Sequence, residues 1–142
     1  MTHPKLTARQ LRDLLPKLPF NQLVGMKITR VHRDGVTVEC KVRDDLLNLA
    51  GALHGGVFAT MADAAAGMSL QRYFEGKRPI ATVELKINYL RAVTQGRVFA
   101  RGRVLRAGRT LCVVRVDLTD EHKREVGAAL VTYILLDRSG QG

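Results

Sequence analysis

The sequence predicts an α+β protein in which a curved antiparallel sheet wraps around one long central helix. Its 142 residues fit a single domain with a core of its own. One run, "LHGGVFATMADAAAGMSLQRYF", is apolar on nearly every side, as is typical of a buried helix. Most of the other apolar segments alternate with polar residues at a period of two, which indicates strands with one face on a core.

The first elements are a short helix and a hairpin. The amphipathic stretch "TARQLRDLLPKL" predicts a helix over residues 7–15, which Pro16 and Pro19 end. The runs "GMKITRVHR" and "GVTVECKVR" predict two strands, because the Asp34–Gly35 pair between them is a strong hairpin signal. An irregular connection then leads to the long helix over residues 55–74.

Four antiparallel strands follow the helix. We expect them at residues 80–90, 95–105, 110–118 and 124–136. In the second of these, small residues such as Ala100 and Gly102 occupy the inward face and leave room for the helix. These elements divide the chain into an N-terminal helical segment (1–22), a main domain (23–138) and a tail (139–142).

Composition and charge indicate which kinds of partner and location to expect. The formal charge of +10 favours an anionic small molecule over nucleic acid, because the arginines are scattered and the aromatic residues are few. No apolar run is long enough to span a bilayer, and the polar start lacks a signal-peptide core, so we expect a cytoplasmic protein. Cys40 and Cys112 share strand parity with apolar neighbours, which predicts buried, reduced thiols and no metal site.

The start of the long helix carries two glycines, Gly55 and Gly56. Backbone N–H groups at a helix start have no partner inside the helix, and the helix dipole favours negative charge there. The pair therefore predicts an anion or oxyanion site. The alternative is that the glycines only permit tight packing against the sheet. For His54, just before them, we expect an orienting role or a helix cap instead of general-base catalysis.

Asp63 is the only carboxylate within the apolar run. It follows His54 by nine residues, so the two lie on opposite sides of the helix and about 13 Å apart along its axis. One chain therefore cannot bring both to one small reaction centre, whereas two antiparallel helices side by side could. This favours a dimer with two shared sites. The alternative is a buried acid satisfied by Ser69, Thr60 or a backbone donor.

The segment "NLAGALHGGVFATMADAAAG" resembles the signature of hotdog-fold acyl-CoA thioesterases of the phenylacetate-pathway (PaaI-like) type. The match consists of an Asn six residues before the His, the His-Gly-Gly, and an Asp nine residues after the His. Downstream, "ATVELKINYLRAV" and "RVLRAGRTLCVVRVDLTD" are similar to a strand and a hairpin of that family. The resemblance spans residues 23–136. It implies hydrolysis of an aryl- or medium-chain acyl-CoA without a cofactor, by a homodimer that pairs into a homotetramer.

The resemblance also implies roles for individual residues. Asp63 would activate water or attack the thioester carbonyl, and the Gly55 N–H would stabilise the oxyanion. Asn48 and His54 would orient the reacting groups, and Thr82 matches a family Ser but adds a methyl group. The residues expected to bind substrate are Gly56, Arg91, Arg106, Gly108, Arg109 and Thr110. The alternative for these arginines is a solvated turn.

Two other functions are compatible with the same fold. One is a hydratase, which the His-Gly-Gly followed by Asp disfavours. The other is a non-catalytic acyl-CoA sensor, which the acid at position 63 disfavours. We expect an acyl pocket built from Leu46, Leu47, Leu49, Phe58, Met61 and Met68 with their counterparts in a partner chain.

Overall fold

The computed structural model describes residues 6–136. The elements are α1 (Ala8–Leu14), a 3₁₀ turn (Leu15–Lys17), α2 (Pro19–Val24), β1 (Met26–Val31), β2 (Val36–Lys41), a 3₁₀ turn (Asp44–Leu46), α3 (Gly55–Tyr73), β3 (Ile80–Tyr89), β4 (Arg97–Ala107), β5 (Leu111–Asp120) and β6 (Glu125–Leu135). The six strands form one antiparallel sheet in the order β1-β2-β4-β5-β6-β3. The predicted fold, a curved sheet with one long central helix, is confirmed. Within residues 6–136, no helix combines the length and the hydropathy that a membrane-spanning helix requires.

The central helix α3 packs against five of the six strands and is buried on several sides. Met61, Ala65 and Leu70 are fully inaccessible. Small residues on β4 permit this close approach. A Cβ atom on Gly102 would lie 2.9 Å from the backbone oxygen of Ala65, closer than packed atoms allow. The prediction that small inward residues make room for the helix is therefore correct.

The N-terminal segment contains more helix than the sequence predicted. Helix α1 ends at Leu14, but Pro16 and Pro19 do not end helical structure, because each lies in the first turn of a new helix. Proline is tolerated there since the missing N–H would have no partner in any case. The boundary expected between residues 22 and 23 falls inside α2. The tail predicted at 139–142 lies outside the described residues.

A bulge in β3 changes which of its side chains face the helix. The register of β3 on β6 shifts between Thr82 and Glu84, so that Thr82 lies opposite Tyr133 and Leu85 lies opposite Val131. The extra residue inverts the alternation on either side of it. Thr82 and Leu85 therefore share one face although they are three residues apart, an odd separation.

Both cysteines are buried and unpaired, as predicted. Burial raises the pKa of the Cys40 thiol and of the Cys112 thiol. Each thiol therefore stays protonated and packs as a small apolar side chain.

Candidate active site

The Asp63 carboxylate is held by two hydroxyl groups from neighbouring strands. Its Oδ1 atom accepts hydrogen bonds from Thr82 Oγ1 on β3, at 2.8 Å, and from the Tyr133 hydroxyl on β6, at 2.7 Å. Oδ2 accepts no hydrogen bond from any residue between 6 and 136. The carboxylate is thus fixed in orientation with one oxygen available.

Ser69 and Thr60, the alternative hydrogen-bond partners considered for Asp63, do not bind its carboxylate. The Ser69 hydroxyl donates to the backbone oxygen of Ala65, at 2.7 Å, and accepts from the Val36 N–H, at 3.1 Å. Thr60 lines the same hollow as Asp63 but makes no hydrogen bond to it. The two groups that bind the carboxylate both come from the sheet, which shows that α3 and the sheet build this cluster together.

Tyr133 was not predicted from the sequence as a site residue. It is buried, and its hydroxyl also lies 2.7 Å from the backbone oxygen of Asp63. Burial raises the pKa of Tyr133, and the neighbouring Asp63 carboxylate raises it further. The phenol therefore remains a hydrogen-bond donor at neutral pH. The only sequence signal was its inward parity with Val131 and Leu135, which is equally typical of an ordinary core tyrosine.

A hollow of about 230 Å³ opens beside this cluster. Asn21, Thr60, Asp63 and Tyr133 are its polar residues, and Met68, which the sequence analysis assigned to an acyl pocket, is one of its apolar residues. Gly67 lies in the same wall. A Cβ there would lie 3.0 Å from the Tyr133 hydroxyl, so glycine allows α3 to approach β6 this closely.

A second cluster lies at the start of α3. His54 caps the helix, because its Nδ1 atom accepts a hydrogen bond of 2.8 Å from the Gly56 N–H. The Gly56 donor is thereby occupied. The Gly55 N–H has no acceptor among the residues described and is the available donor at this helix start. A ring nitrogen that accepts from the backbone acts in positioning and not in proton transfer through that atom.

Asn48 and Tyr89 hold the chain around Gly55. The Asn48 Oδ1 atom accepts from the backbone N–H groups of Ala50 and Ala52, each at 3.0 Å, and so closes the loop before the helix. The Tyr89 hydroxyl donates to the Gly55 oxygen at 2.9 Å, while its ring packs edge-on against Phe58. The role of Tyr89 was missed, since nothing in its sequence position distinguishes it from a strand-end aromatic.

The start of α3 faces a second hollow of about 370 Å³. Asn48, Gly55, Phe58, Tyr89 and Arg91 are among the residues that line it. Of the residues expected to form the acyl pocket, Phe58 therefore lies here. The other four residues of that set line neither hollow: Leu46, Leu47, Leu49 and Met61. Met61 is fully buried in the core, and Leu49 is fully exposed.

The two clusters remain apart within one chain. Gly55 and Asp63 are eight residues apart on α3, about 12 Å along its axis, and they line different hollows. One hollow therefore offers an amide donor without the carboxylate, and the other offers the carboxylate without that donor. Neither is a complete site for adding a nucleophile to a carbonyl group.

The residues predicted to bind substrate lie in two separate places, near the start of α3 and near the β4–β5 turn. Arg91 lines the hollow at the helix start. The β4–β5 turn lies on the Asp63 side instead. Ala107, beside the turn, pairs with Cys112, and Cys112 and Thr82 both pair with Tyr133, which binds Asp63. This turn consists of Gly108, Arg109 and Thr110, and Arg106 lies next to it at the end of β4. None of the three arginines forms an ion pair within residues 6–136, so their charges are available to an anion.

Known proteins resemble this chain in sequence. The thioesterase superfamily profile matches residues 50–127. The medium/long-chain acyl-CoA thioesterase YigI of Escherichia coli K12 is 29% identical, over 92% of this chain and 97% of its own length.

Solved structures resemble it in fold. A mutant of the phenylacetic acid degradation protein PaaI from Thermus thermophilus has a TM-score of 0.75 at 27% identity, over 83% of this chain and 99% of that one. Thioesterase HI1161 from Haemophilus influenzae has a TM-score of 0.87 over 94% and 93%, and its 22% identity supports the fold alone. Since the family profile covers more than half of the sequence, this hotdog-fold chain belongs to the thioesterase superfamily and is a thioester hydrolase.

Proposed function

We propose that the protein hydrolyses acyl-CoA thioesters at sites that two copies of the chain build together. The observation that supports this most is the Asp63 carboxylate, of which one oxygen is anchored by two hydroxyl groups and the other is free in an open hollow. A carboxylate with one oxygen anchored and the other free can keep a fixed orientation and still accept a proton.

The proposed reaction needs no group beyond water and these side chains. The free Asp63 oxygen takes a proton from water, and the resulting hydroxide adds to the thioester carbon. The Gly55 N–H and the dipole of α3 stabilise the oxyanion. The intermediate then breaks its C–S bond, and the proton passes from Asp63 to the sulfur, which leaves a free acid and CoA. Direct attack by Asp63 would instead form an anhydride that water cleaves.

In this proposal each site combines Asp63 of one copy with Gly55 of the other. Antiparallel α3 helices lying side by side would bring the two clusters together. The edge position of β3 supports such pairing, since its outer backbone groups face no other strand formed by residues 6–136. Val83 and Tyr89 on this edge are more than half exposed, which also suits a subunit contact. We infer a homodimer as the minimal unit and a homotetramer as the larger assembly.

The substrate that we propose is an aryl- or medium-chain acyl-CoA, with the enzyme in the cytoplasm. The names of the two relatives, a medium/long-chain acyl-CoA thioesterase and a phenylacetic acid degradation protein, support this range. The net charge of +10 suits the phosphates of CoA. Arg91, Arg106 and Arg109 are the side chains proposed to contact these phosphates, together with the backbone at Gly108 and Thr110.

The test is a panel of acyl-CoA thioesters with a thiol-detecting assay. It compares the native chain, Asp63→Asn and a matched control, Asp13→Asn, which removes an exposed carboxylate from α1. We expect Asp63→Asn to lower kcat/KM by about 10²–10⁴-fold, the usual contribution of a general base. The fold should remain, because the Asn side-chain oxygen can still accept from Tyr133 and Thr82.

Full activity of Asp63→Asn would exclude this acid as the reacting group. Tight binding of acyl-CoA without release of thiol by the native chain would favour a sensor. Hydration of an enoyl-CoA would favour a hydratase.

A further inference from the structure

The hollow beside Asp63 has a wall that does not come from the sheet or from α3. Leu18, Phe20 and Asn21, all from the N-terminal helical segment, line it together with Ala64 and Met68. The lining thus combines apolar side chains with the polar groups of Asp63, Thr60 and Tyr133. An occupant of this hollow would therefore be apolar with a polar reacting end.

This wall is a fixed part of the fold. Leu11 and Leu15 are fully buried in the same core as α3. The Asn21 side chain donates from Nδ2 to the Leu15 oxygen at 3.2 Å, which ties α2 to the preceding turn.

The C-terminal end of α2 is also held by hydrogen bonds. Arg43 donates to the backbone oxygens of Leu23 and Val24, each at 2.6 Å. These bonds satisfy carbonyl groups that a helix end leaves without partners. The middle of α2 and its C-terminal end are thus anchored, which defines the position of Phe20.

The two apolar side chains on this wall are largely exposed. Phe20 is 59% exposed and Leu18 is 46% exposed, although both line a hollow and both belong to an anchored segment. Leu23 on the same helix is 72% exposed but does not line the hollow. The difference offers a matched control within the same short segment.

We propose that Leu18 and Phe20 contact the end of the acyl group remote from the thioester and so set the length of chain that the enzyme prefers. This inference rests on the proposed thioesterase function and names its specificity-determining residues. A residue that ends a pocket limits the number of methylene groups that can be buried. Each methylene that fits is worth about fourfold in kcat/KM, and each that does not fit gains nothing.

The experiment measures kcat/KM against chain length for straight-chain acyl-CoA thioesters from about 4 to about 16 carbons, a range wide enough to bracket methylene-by-methylene selection. It uses the native chain, Phe20→Ala, Phe20→Trp and Leu18→Ala, with Leu23→Ala as the control. We expect Phe20→Ala and Leu18→Ala to move the maximum to longer chains, and Phe20→Trp to move it to shorter ones. Leu23→Ala should reproduce the native profile.

The outcomes separate this inference from the function on which it rests. If all variants hydrolyse acyl-CoA with the native length profile, the N-terminal wall does not select the acyl group. A shift of equal size in Leu23→Ala would also overturn the inference, because it would reveal a general effect of α2. If the native chain hydrolyses no thioester in the series, the proposed function itself fails. Thermal unfolding of each variant tests whether it is folded. Phe20→Ala and Phe20→Trp must shift the preferred chain length in opposite directions.

Discussion

At the residue scale, the arrangement around Asp63 depends on two hydroxyl groups of different character. Thr82 lies at an exposed strand edge and can rotate its hydroxyl, whereas Tyr133 is buried and its ring position is fixed by the core. Both donate to the same oxygen, which fixes the orientation of the carboxylate and leaves its other oxygen without a donor among residues 6–136.

Tyr133→Phe removes the buried donor while preserving the ring. At pH 7 we expect the free energy of unfolding to fall by about 1–3 kcal/mol, because a hydrogen bond to a charged group is lost. The folded pKa of Tyr133 is raised above its unfolded value, near 10, so the native state binds more protons than the unfolded state at higher pH. Native stability should therefore decline as the pH rises past about 10. Urea unfolding between about pH 7 and 11 measures both effects.

The informative quantity is the difference in the free energy of unfolding between the native chain and Tyr133→Phe. The phenylalanine ring of the variant cannot ionise, so the stability gap between native and variant should narrow above about pH 10. Other groups that titrate there contribute equally to both proteins. A gap that stays constant through this range would contradict a protonated Tyr133 held in place by burial.

At the scale of the element, α3 carries both groups that we propose to react, Gly55 and Asp63, and its start depends on one side chain. His54 has extended backbone angles (φ −60°, ψ 136°) and caps the helix through Nδ1. This bond occupies the Gly56 donor and leaves the Gly55 donor free. The cap therefore decides which amide is available at the helix start.

His54→Ala should destabilise the protein by about 1 kcal/mol, because the helix loses its cap. His54→Asn should recover most of that loss, since Asn is among the best capping residues. If the His acts only by positioning, activity should follow the cap and return with Asn. Thermal unfolding and kcat/KM of the three proteins test this. An Asn variant that is as stable as the native chain but inactive would assign the imidazole a direct chemical role.

At the scale of the whole molecule, the two groups that we propose to react, Asp63 and the Gly55 N–H, lie apart within one chain. Their separation along α3 is too large for a single thioester carbonyl to contact both. The β3 edge offers a surface for a second copy, and two such copies related by a two-fold axis would each complete the other. Inactive variants of the two groups should therefore complement one another.

Gly55→Pro removes the free N–H while leaving the helix intact, because proline is favoured at the first helical position and the backbone of His54 suits a following proline. We expect a loss of about 10²–10³-fold in kcat. A heterodimer of one Gly55→Pro chain and one Asp63→Asn chain keeps one complete site of two. Co-expressed with two affinity tags, it should show about half the native activity per dimer.

Gly55→Ala is the matched control for the proline. Both changes place a Cβ about 3.2 Å from the Tyr89 ring, but alanine keeps the N–H. It should therefore retain most of the activity. A heterodimer that is as inactive as its two parents would contradict sites shared between chains.

Much of the fold could be predicted from the sequence, since it depends on local patterns. The period-two runs indicated the strands, the Asp34–Gly35 pair indicated the hairpin, and the apolar run indicated the central helix. The 3₁₀ turn (Leu15–Lys17) and helix α2 were missed. Proline can either end a helix or begin one, and its sequence position alone does not distinguish the two cases.

The sequence by itself determined which groups α3 carries and how far apart they lie, because helical geometry converts residue spacing into distance. Only the tertiary structure decided what meets Asp63. Strict alternation that points Leu85 and Ile87 inward would turn Thr82 outward, and the bulge after Thr82 reverses this. Tyr133 arrives from a strand 70 residues away, and Phe20 from a segment that the sequence placed outside the domain. Such contacts arise from register and packing between distant elements, which no local pattern encodes.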